Sequence, residues 1–371
     1  MEMDFEAVRR PLAEAGTLPP ECYTSGAFHR REVARIFMRR WNLIGRADYW
    51  PEPGDYVALT LAGAEYLVIR DGDGRLRAFA NSCRHRGARL LDGEGRCERI
   101  VCPYHGWTYG IDGRLDFANG MDRARNFDPQ EYGLVEIPLG CWQGFAFVNF
   151  DPGCAPLADH LGDLGRHLES YGLGDMVTVR RAEYSVRTNW KSYVENSMES
   201  FHHATVHRNS VNDPSIGKTV VRGAPGEYVL VQSDSGGRTR ALLKGTDGFP
   251  PIPTLAGPAA LGSQYLLVYP ATMIGCDVDS MWFKQMLPDG PDRVRNVVAI
   301  CFPRETAARA DFDTVVQHYY RRFETAIAED NEIAERQFAG LASPLARPGR
   351  FSHREPLVHA IDNWILDQLD L

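Results

Sequence analysis

The sequence predicts an α+β protein in which a small all-β domain is followed by an antiparallel sheet covered by helices. Between residues 41 and 151, short apolar runs are broken by glycine pairs, as in EYLVIRDGDGRLRAFA, which predicts hairpins. Further on, the apolar segments YLLVYPATMIGCDVDSMWFKQMLP and VRNVVAICFP indicate successive strands. An apolar stripe of helical period then runs from about residue 311 to 341. Because 371 residues exceed what one hydrophobic core usually serves, two domains are expected.

The chain divides into three predicted parts. Residues 1–40 form an N-terminal arm that packs on the second domain and ends in a helix, because REVARIFMRR has helical spacing. Residues 41–155 form the all-β domain, and residues 156–371 form the second domain. The proline- and glycine-containing segment DPGCAPLADHLGDL marks the boundary between these domains. Within the second domain, the Gly/Pro-rich stretch 212–262 is expected to be mobile.

The composition is that of a globular enzyme, with 44% hydrophobic and 24% charged residues. A formal net charge of −8 argues against nucleic acid or an anionic membrane surface as the main partner. No stretch approaches the roughly 20 apolar residues that span a bilayer, and MEMDFEAVRR lacks the pattern of a signal peptide. Eight cysteines without an even framework indicate reduced thiols, and with them a metal site, rather than disulfides. These features predict a cytoplasmic protein.

Two short motifs each offer one thiolate and one imidazole. Cys83 and His85 lie in CRHRG, and Cys102 and His105 lie in CPYHGWTYG. Two cysteines with two histidines fit either a tetrahedral zinc ion or a [2Fe–2S] cluster with sulfur ligands on one iron and nitrogen ligands on the other. Zinc fingers favour two cysteines in one knuckle and two histidines in the other, whereas each motif here carries one of each. The arrangement therefore favours the cluster.

A second group of histidines lies in NWKSYVENSMESFHHATVH, residues 189–207, which is predicted to be a helix. Non-haem Fe(II) that activates O2 is typically held by two histidines and one carboxylate. Regular helix geometry favours His203 and His207, because residues four apart share a face.

The carboxylate of such a site is indicated by Asp330, which interrupts the apolar stripe of the long predicted helix. An unpaired carboxylate on a buried face costs several kcal/mol, so a metal ion or a buried arginine is expected beside it. A contact with a partner subunit is a further alternative. Glu329 points off the stripe and is the weaker candidate.

The motifs around residues 81–115 and 189–207 resemble those of Rieske non-haem iron oxygenases, the alpha subunits of aromatic-ring-hydroxylating enzymes. The resemblance implies a Rieske [2Fe–2S] domain, with Cys83 and Cys102 on one iron and His85 and His105 on the other. It also implies a catalytic domain with a helix-grip antiparallel sheet.

The same resemblance gives a different pair of histidines for the mononuclear iron. The family's acidic residue, two spacers, His, four spacers and His correspond to Glu199, His202 and His207, and EDNEIAERQFAGL resembles the segment that supplies the third ligand, Asp330. Two residues five apart on an ideal helix point about 140° apart, so the helix must be kinked or unwound between His202 and His207. His203 would then point away from the iron. Glu199 would bridge His202 to a neighbouring subunit's His105 and carry electrons between them. Asn196, in the same family segment, is the second candidate catalytic residue.

The resemblance implies a terminal oxygenase that uses O2 and electrons from NAD(P)H for mono- or dihydroxylation or, through hydroxylation of a methyl group, demethylation. It also implies a homotrimer in which one subunit's cluster serves its neighbour's iron. Because no dinucleotide fingerprint and no plant-type ferredoxin run are found, a separate reductase, with or without a ferredoxin, is expected. Two rival classes are a non-catalytic Rieske electron carrier and a zinc-dependent structural or binding protein.

The first expectation for the substrate is an aromatic compound or aromatic acid, and the second is a quaternary ammonium held in an aromatic cage. The segment ENSMESFHH resembles the betaine and carnitine branch less closely, since that branch usually has Cys-Tyr-His before the first ligand. Candidate pocket residues on the predicted strands, where aromatic side chains more often form sheet core, are Tyr265, Tyr269, Met273, Met281, Trp282 and Phe283.

Overall fold

The computed structural model describes residues 4–211, 217–222 and 225–371. The chain divides into two compact units, Met38–Ala155 and a larger unit in which the N-terminal segment up to Phe37 joins Pro156–Leu371. Part of the stretch 212–262 expected to be mobile forms two strands of the larger unit. Residues 212–216 and 223–224 of that stretch lie outside the described residues.

The smaller unit consists of three antiparallel sheets. Their strand orders are β1-β11-β10, β5-β2-β3-β4-β9 and β6-β7-β8. The strands are β1 Asn42–Arg46, β2 Asp55–Leu61, β3 Ala64–Arg70, β4 Leu76–Ala80, β5 Glu94–Arg96, β6 Arg99–Val101, β7 Thr108–Gly110, β8 Leu115–Phe117, β9 Glu136–Ile137, β10 Leu139–Trp142 and β11 Phe145–Val148.

The predicted hairpin around residues 71–74 is confirmed as the turn between β3 and β4. The Asp71 carboxylate accepts hydrogen bonds from the backbone N–H groups of Asp73 at 2.9 Å and Arg75 at 2.8 Å. It also accepts one from Arg77 Nε at 2.7 Å. Such local bonds from aspartate to the backbone favour a turn over a continuing strand.

The larger unit is built on a seven-stranded antiparallel sheet in the order β12-β18-β17-β16-β15-β14-β13. Its central strands are buried along their whole length, which explains their near-continuous apolar sequence. The strands are β12 Met176–Val186, β13 Gly217–Arg222, β14 Tyr228–Asp234, β15 Gly262–Val268, β16 Thr272–Cys276, β17 Met281–Pro288 and β18 Val294–Pro303.

Helices pack on this sheet and join the N-terminal segment to the larger unit. The predicted N-terminal helix is the pair of α3 and a π-helical turn at Val33–Phe37. The helices are α1 Glu6–Arg9, α2 Glu21–Thr24, α3 Gly26–Glu32, α4 Leu157–Leu161, α5 Leu164–Leu168, α6 Trp190–Met198, α7 Pro258–Leu261, α8 Arg304–Ala307, α9 Phe312–Leu341 and α10 Pro356–Gln368.

Helix α9 confirms the predicted stripe, since Phe312, Val316, Phe323 and Asp330 are among its buried residues. The predicted helix over residues 189–207 is only partly correct, because α6 ends at Met198. No helix within the described residues is long and apolar enough to cross a membrane.

The early end of α6 has a local cause at Glu199. This residue leaves the helix with an extended backbone, φ −115° and ψ 168°. Its carboxylate then accepts hydrogen bonds from the backbone N–H groups of Phe201 and His202, which cap the turn that follows. A side chain that bonds nearby backbone groups in this way competes with continuation of a helix. The chain therefore leaves the α-helix before His202, and the expected unwinding between His202 and His207 is also present, as a 3-10 turn at His202–Ala204 followed by further turns.

Candidate active site

The two cysteine–histidine motifs form loops with the same backbone hydrogen bonding. In the first loop, the Cys83 N–H donates to Ala88 O at 2.8 Å and the Cys83 carbonyl accepts from Gly87 N at 2.9 Å. In the second, the Cys102 N–H donates to Trp107 O at 2.8 Å and its carbonyl accepts from Gly106 N at 3.1 Å. Gly87 and Gly106 have φ of +74° and +73°, a conformation in which glycine carries no steric penalty.

The side chains of these loops fit an iron–sulfur cluster. Cys83 and Cys102 are each 3% exposed and are free thiols. The rings of His85 and His105 lie 4.8 Å apart, and the Nδ1 atom of each is buried without a hydrogen-bond partner among the described residues. A buried ring nitrogen without a partner is costly unless a metal takes its lone pair. Paired thiols with paired, unsatisfied imidazoles are the donor set of a Rieske cluster.

Neighbouring aromatic residues hold these ligands in place. The Tyr109 hydroxyl lies 3.3 Å from Cys83 Sγ and accepts a hydrogen bond from the Arg84 N–H at 3.0 Å. The Trp107 ring stacks on His85 with 4.9 Å between ring centroids and 6° between planes. Hydrogen bonds to the sulfur ligands are among the features that tune such a cluster.

Replacing Cys83 or Cys102 with serine should abolish the visible iron–sulfur absorption of the purified protein, because a hydroxyl does not replace a thiolate ligand. Cys97→Ser, a change at a half-buried thiol of the same unit, should leave the spectrum unchanged. An unaltered spectrum in Cys83→Ser and Cys102→Ser would overturn the assignment of the cluster.

The second candidate centre joins the segment after α6 to the middle of α9. His207 Nε2 lies 3.0 Å from Asp330 Oδ1, and His202 Nε2 lies 3.6 Å from the same oxygen. Ligands at about 2.1 Å from one ion and at right angles to each other are about 3 Å apart. All three side chains are buried or nearly so. The residues that the family register selects are thus brought together.

Each of the two histidines is anchored through its other ring nitrogen. His202 Nδ1 donates to Glu199 Oε1, and His207 Nδ1 donates to Glu329 Oε2 at 2.7 Å. In a neutral ring this leaves a lone pair on Nε2, which faces the Asp330 carboxylate. Two lone pairs at this distance repel each other unless a proton or a cation lies between them. The donor set therefore fits a metal ion, in the carboxylate–histidine–metal arrangement common to protein metal sites.

The electrostatics of the centre favour an ionised carboxylate. Burial raises the pKa of Asp330, but the Lys284 ammonium, with Nζ 3.5 Å from Oδ2, and hydrogen bonds from His202 and His207 hold this pKa well below its usual range. Burial lowers the pKa of His202, but Asp330 and Glu199 outweigh it and raise the pKa to about 9.

His203 does not point away from the centre as expected. Its ring centroid lies 4.9 Å from that of His202 and 5.2 Å from that of His207. Nitrogen atoms of the three rings all lie within 4.8 Å of one another. The physical reason is that His202–Ala204 forms a 3-10 turn, after which further turns fold His207 back toward both rings. The regular helix that would have favoured the pair His203 and His207 does not exist here, yet the turns still bring the His203 ring beside the other two.

A cavity of about 250 Å³ opens beside this cluster. Of the six candidate pocket residues, Tyr265, Met273 and Trp282 line it. Met281 and Phe283 belong to the core instead, because side chains alternate between the two faces of a strand. Tyr269 stacks on Trp364, with 4.4 Å between ring centroids.

Asn196, on helix α6, also lines the cavity. Its side-chain oxygen is buried without a hydrogen-bond partner among the described residues.

The sequence analysis did not identify Lys284 as a residue of the site. Its ammonium group lines the cavity although the residue lies on the largely apolar strand β17. Glu329 was also given too little weight, although that carboxylate anchors His207. The signal for Glu329 was its position beside Asp330, on a helix that faces the histidine segment.

Family models match both domains of the chain, and solved structures share its fold. Residues 173–371 match the family model for the ring hydroxylating alpha subunit (catalytic domain), and residues 40–128 match that for the Rieske [2Fe-2S] domain. Among solved structures, the quaternary ammonium Rieske monooxygenase CntA in complex with L-carnitine is similar, with a TM-score of 0.77 and 25% identity over 96% of this chain and 95% of that chain. Naphthalene 1,2-dioxygenase from Rhodococcus sp. has a TM-score of 0.77 at 19% identity, over 95% of this chain and 94% of that chain, which is a likeness of fold.

Curated relatives come from plants and bacteria. Chloroplastic choline monooxygenase of Spinacia oleracea is 27% identical over 97% of this chain and 80% of its own length. The carnitine monooxygenase oxygenase subunit of Escherichia coli (strain K12) is 34% identical over 52% of this chain and 53% of its own length.

Proposed function

Since the chain belongs to the family of ring-hydroxylating oxygenase alpha subunits and carries a Rieske [2Fe-2S] domain, we propose that it is the terminal oxygenase of a monooxygenase acting on a small quaternary ammonium compound. The relatives named for choline and carnitine carry this proposal. The matched catalytic domain sets the chain apart from a non-catalytic Rieske electron carrier, and the Rieske match sets it apart from a zinc protein.

The proposed ligands belong to two separate iron centres, a [2Fe–2S] cluster and a mononuclear iron. In the [2Fe–2S] cluster, Cys83 and Cys102 would hold one iron and His85 and His105 the other. His202, His207 and Asp330 would hold the mononuclear Fe(II), with His203 in the cavity wall. When both centres are bound, the [2Fe–2S] cluster would supply electrons, and the mononuclear iron would supply an open coordination position for O2.

The protein's own residues orient this centre. Glu199 and Glu329 fix the ring orientation of the two histidines, so that each directs Nε2 toward Asp330. Asn196 lines the same cavity, and its side-chain oxygen, which has no partner among the described residues, is proposed to accept a hydrogen bond from substrate or water. Glu199 is proposed to connect His202 to a neighbouring subunit's His105, which requires the homotrimer that the family resemblance implies.

Electrons are proposed to come from NAD(P)H through a separate reductase, with or without a ferredoxin. The resemblance that predicted the oxygenase also predicts this dependence, because Rieske oxygenases take electrons from such partners. O2 and the small-molecule substrate complete the set of reactants.

The quaternary ammonium class takes the place of the aromatic substrate that was the first expectation. The relatives named for choline and carnitine support this change, because both named compounds carry a quaternary ammonium group. The segment ENSMESFHH did not predict the substrate class correctly. Its residue before the first histidine, Phe201, is 43% exposed and is not among the residues that line the cavity. Its ring lies under Arg354, with 4.8 Å from the guanidinium carbon to the ring centroid.

The proposal is tested by supplying iron-loaded protein with a surrogate reductase and comparing choline, L-carnitine, γ-butyrobetaine and a set of aromatic acids. At least one quaternary ammonium compound should give product in proportion to NADH and O2 consumed, because correct binding couples the electrons to substrate oxidation. Product is measured by mass spectrometry, and peroxide release reports uncoupled turnover. Tight coupling with an aromatic acid, and with none of the quaternary ammonium compounds, would contradict the proposal.

A further inference from the structure

Beside Arg354, whose guanidinium lies over the Phe201 ring, three cationic side chains of the larger unit line the cavity. Arg240 follows strand β14, Lys284 lies on β17, and Arg322 lies on α9. Within the described part of the chain, neither guanidinium is within ion-pair distance of a carboxylate, whereas Lys284 is paired with Asp330. Arg322 Nε is buried and has no hydrogen-bond partner in the same described ranges. An unpaired buried donor on a charged group is costly unless a ligand completes it.

The buried carboxylate of Asp277, which directly follows strand β16, does not form an ion pair with these guanidinium groups. Asp277 Oδ1 accepts hydrogen bonds from the Arg240 backbone N–H at 3.1 Å and from the Ser263 hydroxyl. Its Oδ2 accepts one from Trp282 Nε1 at 3.3 Å. Asp277 therefore offsets the positive charge without a direct ion pair. Arg240 Nη1 donates to Ser233 Oγ at 3.2 Å, and the other guanidinium donors of Arg240 and Arg322 have no hydrogen-bond partner among the described residues.

The aromatic walls of the cavity already carry cations of the protein itself. The guanidinium carbon of Arg240 lies 5.7 Å from the Tyr265 ring centroid, and that of Arg322 lies 4.8 Å from the Phe323 centroid. Lys284 Nζ lies 5.8 Å from the Trp282 ring. A substrate with only a positive charge would meet like charges at this end of the cavity, which is unfavourable at short range.

We propose that Arg240 and Arg322 form a subsite for an anionic group of the substrate, a carboxylate. This inference rests on the proposed function, and it narrows the substrate to a zwitterionic quaternary ammonium carboxylate in preference to a quaternary ammonium alcohol. The guanidinium group suits this role because its fork of N–H donors matches a carboxylate and because it keeps its charge when buried.

The position of the subsite fits a substrate that spans the cavity. Arg322 and Asp330 lie eight residues apart on α9, which corresponds to about 12 Å along the helix axis. Both side chains line the same cavity. A carboxylate bound at Arg322 would leave the other end of a small flexible molecule near His202, His207 and Asp330.

The test compares γ-butyrobetaine with the trimethylammonium alcohol of the same chain length, on iron-loaded protein. Binding is measured by calorimetry without O2, and KM and kcat are measured with the surrogate reductase. The carboxylate should bind the unaltered protein about tenfold to a hundredfold more tightly than the alcohol, as expected for one or two charge-assisted hydrogen bonds. Arg322→Gln should raise KM for the carboxylate by a similar factor, with kcat much less affected, and should leave KM for the alcohol nearly unchanged.

Arg321→Gln, at an exposed position of the same helix, is the matched control and should change neither constant. Arg322→Lys should recover part of the lost affinity because it restores the charge without the fork. Iron content and visible spectrum of each variant separate a binding defect from misfolding. Should Arg322→Gln misfold, Arg240→Gln carries the same expectation.

Equal binding of the carboxylate and the alcohol to the unaltered protein would overturn the subsite and leave the proposed function standing. A different result would be that only aromatic carboxylates bind and are turned over, and that their binding depends on Arg322. The subsite would then stand, and the quaternary ammonium substrate class would fall.

Discussion

Replacing His202, His207 or Asp330 with alanine should abolish turnover and lower the iron content from about three to about two atoms per subunit. The physical reason is that two imidazoles and one carboxylate form a minimal facial site, and loss of any one leaves Fe(II) too weakly held. The Rieske absorption should be retained, because its ligands lie in the other unit. Iron counted by mass spectrometry, together with the visible spectrum, measures both effects.

Two controls sharpen this expectation. Glu332→Ala changes an exposed carboxylate on the same helix and should keep all the iron. His203→Ala should also keep it, although the His203 ring lies in the same group of imidazoles. Loss of mononuclear iron in His203→Ala, with retention in His202→Ala, would show that His203 is the ligand and that the family register is wrong here.

Glu199→Gln should keep both metal centres and near-normal substrate affinity while lowering turnover by about a hundredfold or more, at the upper end of effects known for residues behind metal ligands. The amide keeps the size of the side chain and an acceptor for His202 Nδ1, but it removes the charge proposed to connect His202 with a neighbouring subunit. Reoxidation of pre-reduced protein by O2 and substrate, followed by stopped-flow absorption, should slow by the same factor.

The conservative change Glu199→Asp keeps a carboxylate and should retain more turnover than Glu199→Gln. Near-normal turnover and reoxidation in Glu199→Gln would remove this residue from the proposed connection. A loss of mononuclear iron in that variant would instead show that Glu199 acts by holding His202 in place.

The features that the sequence predicted well are those set by local periodicity. The stripe of α9 identified Asp330 because a single carboxylate interrupts an otherwise apolar face over eight turns. The two cysteine–histidine loops were predicted equally well, because each is a short motif that contains its own ligands. Each motif also has a glycine at a position of positive φ, so the same backbone structure forms twice. In both cases the information lies within a few residues of the site.

The features that the sequence did not predict depend on side chains that meet across the fold. The end of α6 is decided by the Glu199 carboxylate, which bonds the following backbone instead of solvent. The orientation of His203 follows from that break. Arg240, Lys284 and Arg322 come from a loop, a strand and a helix, so no spacing in the sequence indicates that they share one cavity.

The central claim is that this chain binds a quaternary ammonium compound and oxidises it with O2, and a single turnover tests it most directly. Iron-loaded protein is reduced chemically, freed of reductant, mixed with γ-butyrobetaine and exposed to air. The account predicts oxidised substrate in an amount limited by the reduced sites, with little peroxide, and no product in Asp330→Ala. Consumption of O2 with peroxide alone, and no change in γ-butyrobetaine, L-carnitine or choline, would contradict it.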